Sequence, residues 1–375
     1  MSLPVSRRSF LSLATSGPTL GAVGLAPTAE AARRKLSAAA ATTSVAPATG
    51  TVYLNFNECP LGPSPAALEA VQAILPRAGR YLLELSDTLV TAFAGQAHLP
   101  SDHVAVYPGS SEALARAARA FTSARASVVV ADPTFETVAD VAAAQGAPVR
   151  RVTLRADGAH DVKAMAGADP NAGLIYLCNP NNSTGSITPR AEIEWLLHNK
   201  PASSVLLVDE AYFHYSEQPS VIDLIDQRQD LLVLRTFSKI YGMAGLRLGL
   251  AVASPGLLGK LAGFGQNPVA ITAAAAGITS LSDGQLVQVR RAENARIRDA
   301  TIAWLKSKGY ACLPSQANCF MVDVKHDGKA FAAAMANHEV IVGRTWPSWP
   351  TRVRVIVGTE AEMLRFRDAF MQARK

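Results

Sequence analysis

The sequence is short of cysteine, of net charge and of internal repetition, and each shortage excludes a class of protein. Its 36 basic and 30 acidic residues leave a net charge of only +6, and the basic residues are scattered along the chain. This distribution does not favour nucleic-acid binding, which uses a concentrated basic surface. The four cysteines have no CxxC or zinc-type spacing, so we expect no metal site. They are Cys59, Cys178, Cys312 and Cys319, and the sequence leaves their disulfide state open.

The first fifty residues have the pattern of an exported protein. Arg7 and Arg8 precede an apolar stretch at residues 11–26, as in twin-arginine export signals. That stretch contains Gly17 and Pro18 and is too short to span a membrane. Ala29 and Ala31, on either side of Glu30, form a small-x-small pattern that suits signal cleavage, and a tether rich in Ala, Ser and Thr follows to residue 50. We therefore expect a periplasmic or secreted protein that uses the twin-arginine translocase. The alternative is a cytoplasmic protein with a disordered tail.

The central part of the chain alternates apolar runs with amphipathic segments. The runs predict strands at 104–107, 127–131, 149–154, 174–178, 205–209, 231–236 and 248–253. Helical patterns lie between several of them, at 112–121, 134–145 and 189–198. Apolar strands that are separated by helices indicate an α/β fold with a mostly parallel sheet and helices on both faces. In such a fold functional residues collect beyond the carboxyl ends of the strands.

Beyond residue 265 the pattern is that of a smaller α+β domain. It predicts a long helix at 286–308, a strand at 319–324, a helix at 328–337 and a strand at 353–357. A length of 375 residues accommodates two such domains. We therefore divide the chain into a signal peptide at 1–31, a tether at 32–50, an N-terminal arm at 51–80, a large domain at 81–265 and a small domain at 266–375.

The most informative segment is LRTFSKIYGMAGLRLG at 234–249. Lys239 follows a predicted strand and lies among apolar residues and glycines, where loss of solvation lowers the pKa of an amine and activates it as a nucleophile. Ser238 can bind a phosphate group, and Arg247 can hold the same group with its planar guanidinium. These three residue types together indicate a site for a phosphorylated aldehyde.

This segment resembles the lysine segment of fold-type I, pyridoxal-phosphate-dependent class I/II aminotransferases, and most closely the histidinol-phosphate aminotransferase family. Other segments of that family appear in the same order: LNFNECP at 54–60, YPGSSE at 107–112, DPTF at 132–135, CNPNNSTG at 178–185, VDEAY at 208–212 and VRVIVGT at 353–359. The resemblance implies the family's fold and its cofactor, pyridoxal 5'-phosphate. The chain departs from the pattern at Leu82 and Ser183, where the family usually has proline, at Cys59, where it has asparagine, and at Phe135, where tyrosine is commoner.

The residues also account for several cofactor contacts. Asp209 ends an apolar run, where a carboxylate needs a cationic partner such as a protonated pyridine nitrogen. Ser110, Ser111 and Glu112 lie where a strand joins a helix, and a helix N-terminus can bind the cofactor phosphate. Residues 110–112 are also compatible with an ordinary serine N-cap and capping glutamate.

The resemblance assigns further roles around the cofactor. It implies that Lys239 forms the Schiff base, that Phe135 stacks on the pyridine ring, and that Tyr212 and Asn182 contact the phenolic oxygen. It implies that Tyr81 is lent to the phosphate site of a partner subunit, and hence a homodimer with shared active sites.

For the substrate, the resemblance implies that Arg354 binds the α-carboxylate and that Arg344 aligns with an arginine that reaches the substrate phosphate. Arg352, two residues before Arg354, lies on the same strand face. Asn57 and Asn318 match family residues near the substrate. The substrates are then an amino donor and a 2-oxo acid acceptor.

Three functions follow as hypotheses. The first is an aminotransferase, the second is another reaction of the same cofactor, such as β-elimination, decarboxylation or racemisation, and the third is a cofactor-binding protein without activity. The presence of both Lys239 and Asp209 argues against a cofactor-binding protein without activity. Between histidinol phosphate and another amino acid or amine we expect the latter, because an exported enzyme would not meet the intermediates of histidine biosynthesis.

Overall fold

The computed structural model describes residues 50–265 and 268–374. These residues belong to one unit that begins at Pro47. The predicted signal peptide, its cleavage site and the tether up to residue 49 lie outside the described residues. None of the helices in the described ranges is long and apolar enough to cross a membrane.

A seven-stranded sheet forms the centre of the large domain. In chain order its strands are β2 (Val104–Tyr107), β3 (Ser127–Asp132), β4 (Val149–Thr153), β5 (Ala172–Cys178), β6 (Val205–Asp209), β7 (Leu231–Thr236) and β8 (Gly249–Ala253). Their order across the sheet is β2-β8-β7-β6-β5-β3-β4. β8 runs antiparallel to both of its neighbours, and the other neighbouring strands are parallel. The fold is therefore the predicted α/β arrangement with a mostly parallel sheet.

The eleven α-helices of the described residues are α1 (Pro65–Ile74), α2 (Glu84–Ala97), α3 (Ser110–Phe121), α4 (Thr137–Ala144), α5 (Val162–Gly167), α6 (Arg190–Asn199), α7 (Pro255–Ala262), α8 (Ile271–Ser282), α9 (Leu286–Ser307), α10 (Gly328–Ala336) and α11 (Glu360–Ala373). Shorter 3-10 turns lie at Leu75–Arg77, Ser101–His103, Phe213–Tyr215, Ile222–Gln227 and Ala244–Leu246.

The central strands are apolar because helices cover both faces of the sheet. Every residue of β6, β7 and β8 is buried, including the polar residues at their ends. The outer strand β4, by contrast, leaves Arg150 and Arg151 exposed. This burial explains why β6 and β7 have the predicted bounds, since an uninterrupted apolar run is typical of a strand that is buried on both faces.

Two short sheets lie outside the large one, within the same unit. The division of this unit into a large and a small domain stays a prediction, and the two names are kept for its parts. β9 (Cys319–Asp323) pairs antiparallel with β11 (Arg352–Ile356), and β1 (Val52–Leu54) pairs parallel with β10 (Val340–Val342). The first strand of the N-terminal arm is thus joined to the C-terminal part of the chain. The helix α8, which the sequence pattern did not predict, packs against α1 and α2.

The topology brings the loops of interest to one edge of the large sheet. β2, β3, β5, β6 and β7 all end at that edge, because they are parallel to one another. The segments that follow them carry the predicted cofactor residues. The start of β8 lies at the same edge, since Gly249 pairs with Thr236 and with Tyr107.

Candidate active site

A cavity of about 1060 Å³ lies at the carboxyl edge of the sheet, between it and the smaller domain. Most of the predicted site residues line it, and they come from the N-terminal arm, the large sheet and the smaller domain. Those that do are Asn57, Ser110, Ser111, Phe135, Asn182, Asp209, Tyr212, Ser238, Lys239, Arg247, Arg344 and Arg354.

One end of the cavity is built to bind an anion. α3 begins at Ser110 and points its N-terminus at the cavity, so that its free N–H groups and the helix dipole favour a negative group. Arg247 donates from Nη1 to the hydroxyl of Ser238 at 3.4 Å and to the carbonyl of Ala244 at 2.9 Å. Thr236 places Ser238, because their hydroxyls are 3.0 Å apart. The donors of helix, serine and arginine therefore converge on one point.

Two glycines make this convergence possible. Gly109 precedes α3 with φ 85°, a conformation that residues with a side chain rarely adopt. A side-chain carbon at Gly109 would collide with the guanidinium of Arg247, and one at Gly249 would collide with the backbone nitrogen of Ser110. Glycine at 109 therefore permits the required φ and leaves room for the Arg247 side chain, and glycine at 249 permits the close approach of the β8 backbone to the start of α3.

Glu112 does not take part in this end of the cavity. Its carboxylate accepts a hydrogen bond from Nε of Arg116, one turn later on α3, at 2.7 Å. The N-cap of the helix is Gly109, which has no side chain to accept a hydrogen bond, so no serine capping box forms, and Glu112 is not among the residues that line the cavity. The contact of Glu112 with the cofactor stays a prediction.

Asp209 ends β6 and is almost completely buried, with 3% of its surface exposed. Its two carboxylate oxygens accept hydrogen bonds from the hydroxyl of Tyr176 and from the backbone nitrogen of Ala211, each at 3.1 Å. Burial raises the pKa of Asp209 to about 6, although both hydrogen bonds oppose the shift. A cationic group at this position would therefore be stabilised strongly.

Tyr176 is the site residue that sequence reasoning missed. It lies in the middle of the apolar strand β5 and is fully buried, two residues before Cys178 and so on the same face of the strand. Burial raises the pKa of its hydroxyl well above 10, so the group stays protonated and donates to Asp209. A tyrosine inside an otherwise aliphatic buried strand was the available signal, since a buried hydroxyl requires a partner.

Lys239 lies three residues beyond the end of β7 and lines the cavity. Its ammonium donates to the backbone carbonyl of Asn57 at 2.9 Å. Burial, together with the nearby Arg354, lowers the pKa of Lys239 to about 8, so that a useful fraction of the amine is neutral near neutral pH.

Tyr212 and Asn57 form a hydrogen-bonded pair beside Lys239. The amide nitrogen of Asn57 donates to the hydroxyl of Tyr212 at 2.8 Å, and the ring of Tyr212 lies 5.6 Å from Nζ of Lys239. Asn57 is buried and has φ 55°, while its own amide oxygen has no hydrogen-bond partner. Burial raises the pKa of Tyr212 well above 10.

Arg354 connects the smaller domain to the rest of the site. It lies on β11 and donates to the amide oxygen of Asn182 and to the backbone carbonyl of Asn55, both at 2.7 Å. The guanidinium is 8% exposed and lines the cavity. Arg352, two residues earlier, is less buried, and its guanidinium lies 4.3 Å from the ring centroid of Trp349. Arg352 does not line the cavity, whereas Arg354 does. The structure therefore distinguishes these two arginines, which the sequence pattern placed on the same face of one strand.

Arg344 lines the cavity but has a partner on the large domain. Its Nη2 donates to both carboxylate oxygens of Glu136, and the indole nitrogen of Trp346 donates to the same carboxylate at 2.9 Å. The sequence pattern did not indicate Glu136, which lies 208 residues from Arg344 along the chain.

Besides Glu112, two further predicted residues do not line this cavity. Asn318 is buried and donates from its amide to the backbone carbonyl of Glu58 at 3.1 Å, so it supports a segment that lines the cavity. Its role near the substrate stays a prediction. Tyr81 is 78% exposed and lies away from the cavity of its own chain. The next residue, Leu82, has φ 44°, which a proline could not adopt. The loop therefore differs locally from the family pattern.

The chemistry of these donors fits pyridoxal phosphate. The anion-binding end suits its phosphate, the buried carboxylate of Asp209 suits a protonated ring nitrogen, and the amine of Lys239 suits its aldehyde. Phe135 lines the cavity and offers an aromatic face. The amide oxygen of Asn57 has no partner, which leaves an acceptor beside the cavity for a bound molecule.

Comparisons with known proteins agree with this assignment. The profile of the family "Aminotransferase class I and II" matches residues 50–370. The chain is 34% identical to "Histidinol-phosphate aminotransferase 1" of Nitrosococcus oceani over 84% of this chain and 87% of that protein. It is 33% identical to "Aromatic amino acid aminotransferase" of Cutibacterium acnes over 86% of this chain and 93% of that protein.

A solved structure also resembles the fold. The histidinol-phosphate aminotransferase of Sinorhizobium meliloti, in complex with pyridoxal-5'-phosphate, superimposes with a TM-score of 0.79 and 25% identity, over 93% of this chain and 95% of that one. The fold, the cavity and the family profile lead to one conclusion: the chain belongs to the class I and II aminotransferases and is a pyridoxal-phosphate-dependent transaminase.

Proposed function

We propose that the amino donor of this transaminase is an α-amino acid whose carboxylate binds Arg354, and that histidinol phosphate is not its substrate. The observation that carries the proposal is the contrast between the two arginines of the smaller domain. Arg354 is buried and held by two neutral acceptors, so it keeps its full charge for a substrate. Arg344 already has a carboxylate partner in Glu136. A bidentate contact between guanidinium and carboxylate is favourable in such a site.

The proposed roles around the cofactor follow from the positions of the residues. Ser110, Ser111, Ser238 and Arg247 hold the phosphate, and Asp209 holds the ring nitrogen. Phe135 covers the ring, and Asn182 and Tyr212 contact the phenolic oxygen. When bound, pyridoxal phosphate supplies an electron sink for the electrons left at the substrate α-carbon.

Lys239 has two proposed functions. It attaches the cofactor covalently, and after its release its neutral amine accepts the proton from the α-carbon of the donor. The pKa of about 8 supports both functions, because attack and proton removal need the neutral amine. The backbone carbonyl of Asn57 accepts a hydrogen bond from the amine, and the side chain of Asn57 donates to Tyr212 beside it. Both residues therefore help to fix the position of the amine.

A donor screen tests the proposal. Purified holoenzyme is mixed with single amino acids or with histidinol phosphate, and conversion of the cofactor is followed by its absorbance. We expect α-amino acids to react faster than histidinol phosphate. Arg354→Ala should lower kcat/KM for every carboxylate donor by roughly 10- to 150-fold, the loss of one charge-assisted contact. Arg344→Ala should change the same values much less.

The opposite result would identify a different enzyme. If wild type prefers histidinol phosphate and both arginine variants lose that activity together, the two arginines share a phosphate and the proposal is wrong. Loss of carbon dioxide or racemisation of the donor, without formation of a 2-oxo acid, would instead indicate another reaction of the same cofactor.

A homodimer with shared active sites is also part of the proposal. The N-terminal arm and the start of the large domain expose large apolar side chains: Tyr53, Phe56, Leu61, Leu68, Leu75, Tyr81 and Leu83. An apolar surface of this kind supports an interface between subunits. Phe56 is 70% exposed although it lines the cavity, so a second subunit would cover the cavity on that side.

Export through the twin-arginine translocase remains a proposal that rests on Arg7, Arg8 and the apolar stretch after them. The location would then be the periplasm or the exterior. A route that carries folded proteins would let the enzyme leave with its cofactor already bound.

A further inference from the structure

At the end of the cavity beside the smaller domain, an ion pair and a tryptophan form a cluster of three residues. Arg344 donates from Nη2 to both oxygens of the Glu136 carboxylate, and its Cζ lies 4.8 Å from the ring centroid of Trp346. Nε1 of Trp346 donates to Oε1 of Glu136 at 2.9 Å. The carboxylate therefore has two donors, and one of them is a fixed indole that is only 5% exposed.

The cluster joins two separate parts of the fold. Glu136 precedes α4 on the large domain, whereas Arg344 follows β10 and Trp346 lies in the loop before β11. Arg344 lines the cavity, whereas its partner Glu136 is not among the lining residues. The net charge of the pair is zero, and an anionic ligand would have to compete with Glu136 for Arg344.

The other charged residues of this end do not replace Arg344. Lys329, on α10, and Glu58, in the N-terminal arm, also line the cavity, and both are exposed. They contribute one charge of each sign. Arg354 is committed to Asn182 and Asn55 and, in the proposed function, to the substrate carboxylate. Of the three arginines that line the cavity, Arg247 and Arg354 have the proposed roles given above, so a bidentate contact with an anionic side chain would depend on Arg344.

We infer that Glu136 is a specificity-determining residue: it holds Arg344 and so restricts the amino donors to α-amino acids whose side chains carry no negative charge. This inference rests on the proposed function, because it assumes that Arg354 binds the α-carboxylate. Glu136 acts through Arg344 and not by contact with the substrate, so it is a positioning residue.

Glutamate and glutamine are suitable probes because they have the same size and differ in the charge of the side chain. Wild-type holoenzyme should show a higher kcat/KM for glutamine than for glutamate in the donor half-reaction. Glu136→Gln keeps an acceptor for Trp346 but removes the charge that holds Arg344. The variant should reduce the ratio of kcat/KM for glutamine to kcat/KM for glutamate by roughly 10-fold, which is the scale of one partly exposed charged contact.

A double-variant cycle separates this effect from a general loss of negative charge. The effect of Glu136→Gln on the ratio should disappear in the Arg344→Ala background, because no guanidinium is left to be released. Glu136→Asp, which keeps the charge, should retain most of the wild-type ratio. The matched control is Glu58→Gln, which removes a carboxylate that lines the same cavity without a contact to Arg344, and should change the ratio less than about threefold.

Ligand binding tests the same inference without turnover. Calorimetric titration of the holoenzyme compares glutarate with pentanoate, two carboxylates of equal chain length, of which only glutarate has a second charge. Glu136→Gln should tighten glutarate by about 10-fold, and only when Arg344 is present. If no amino acid reacts, the proposed function fails while this titration still decides the role of Glu136. Failure of Glu136→Gln to tighten glutarate, or equal tightening in the Arg344→Ala background, overturns the inference.

Discussion

The buried carboxylate of Asp209 makes a quantitative prediction about the cofactor-free protein. We expect Asp209→Asn to remove a specific pH dependence of stability. The substitution keeps the size of the side chain and one oxygen acceptor, so the hydrogen bond from the backbone nitrogen of Ala211 can persist, and the hydroxyl of Tyr176 can accept from the new amide nitrogen. It removes only the ability to become charged in a site from which water is excluded.

The magnitude follows from the two pKa values of the group. The pKa of Asp209 is about 6 in the folded chain and 3.8 without the fold, a difference of about 2 units. Each unit corresponds to about 1.4 kcal/mol, so the contribution is about 3 kcal/mol. Between pH 4 and 6 the folded state binds more protons than the unfolded state, and therefore the free energy of unfolding falls as the pH rises.

Urea unfolding of the cofactor-free protein at several pH values between 4 and 7 measures this contribution. The difference in the free energy of unfolding between Asp209→Asn and wild type should grow in favour of the variant by about 2 kcal/mol over that range, because part of the contribution is already lost at pH 4. Lys239 does not disturb the window, because its pKa is about 8. Asp223→Asn is the control, since Arg190 holds the pKa of Asp223 below 3.8 and the group titrates below the window.

With the cofactor bound, the free energy of unfolding of wild type should fall much less as the pH rises, because the cationic ring nitrogen stabilises the charged carboxylate of Asp209. The same variant should lower turnover by about 100-fold or more, since it breaks a buried ion pair. A pH profile of Asp209→Asn that is parallel to that of wild type would refute the reasoning. It would mean that the carboxylate is solvated in the folded state.

Three further predictions concern the cofactor, its supports and export. Lys239→Ala should abolish the visible absorbance of the covalently bound cofactor; a yellow variant would contradict the assignment. Tyr176→Phe removes the donor to Asp209, so the pKa of the bound cofactor, followed by absorbance against pH, should shift, whereas a structural role alone would leave it unchanged. Changing Arg7 and Arg8 to lysine should retain the protein in the cytoplasm, and equal periplasmic yields would exclude a twin-arginine signal.

The sequence predicted the large sheet well for a local reason. Strands such as β6 and β7 are uninterrupted apolar runs, and their bounds can be read from the chain because burial on both faces leaves no polar alternation. The short strands β1 and β10 could not be predicted in the same way. Each has three residues, and they pair across almost 290 positions. The helix α8 has an apolar composition without a clear amphipathic period, since it packs between other helices.

The sequence alone determined the residue types of the site and their order, because a phosphate, a ring nitrogen and an aldehyde each need particular groups next to strand ends. It placed Lys239 and Asp209 in this way, whereas Arg354 was assigned from the family resemblance. Only the tertiary structure decided which groups act on one another. Tyr176 meets Asp209 across two neighbouring strands, and Arg344 meets Glu136 across the two parts of the fold. Both contacts depend on the packing of elements that are distant along the chain. A local sequence pattern cannot predict which of these elements pack together.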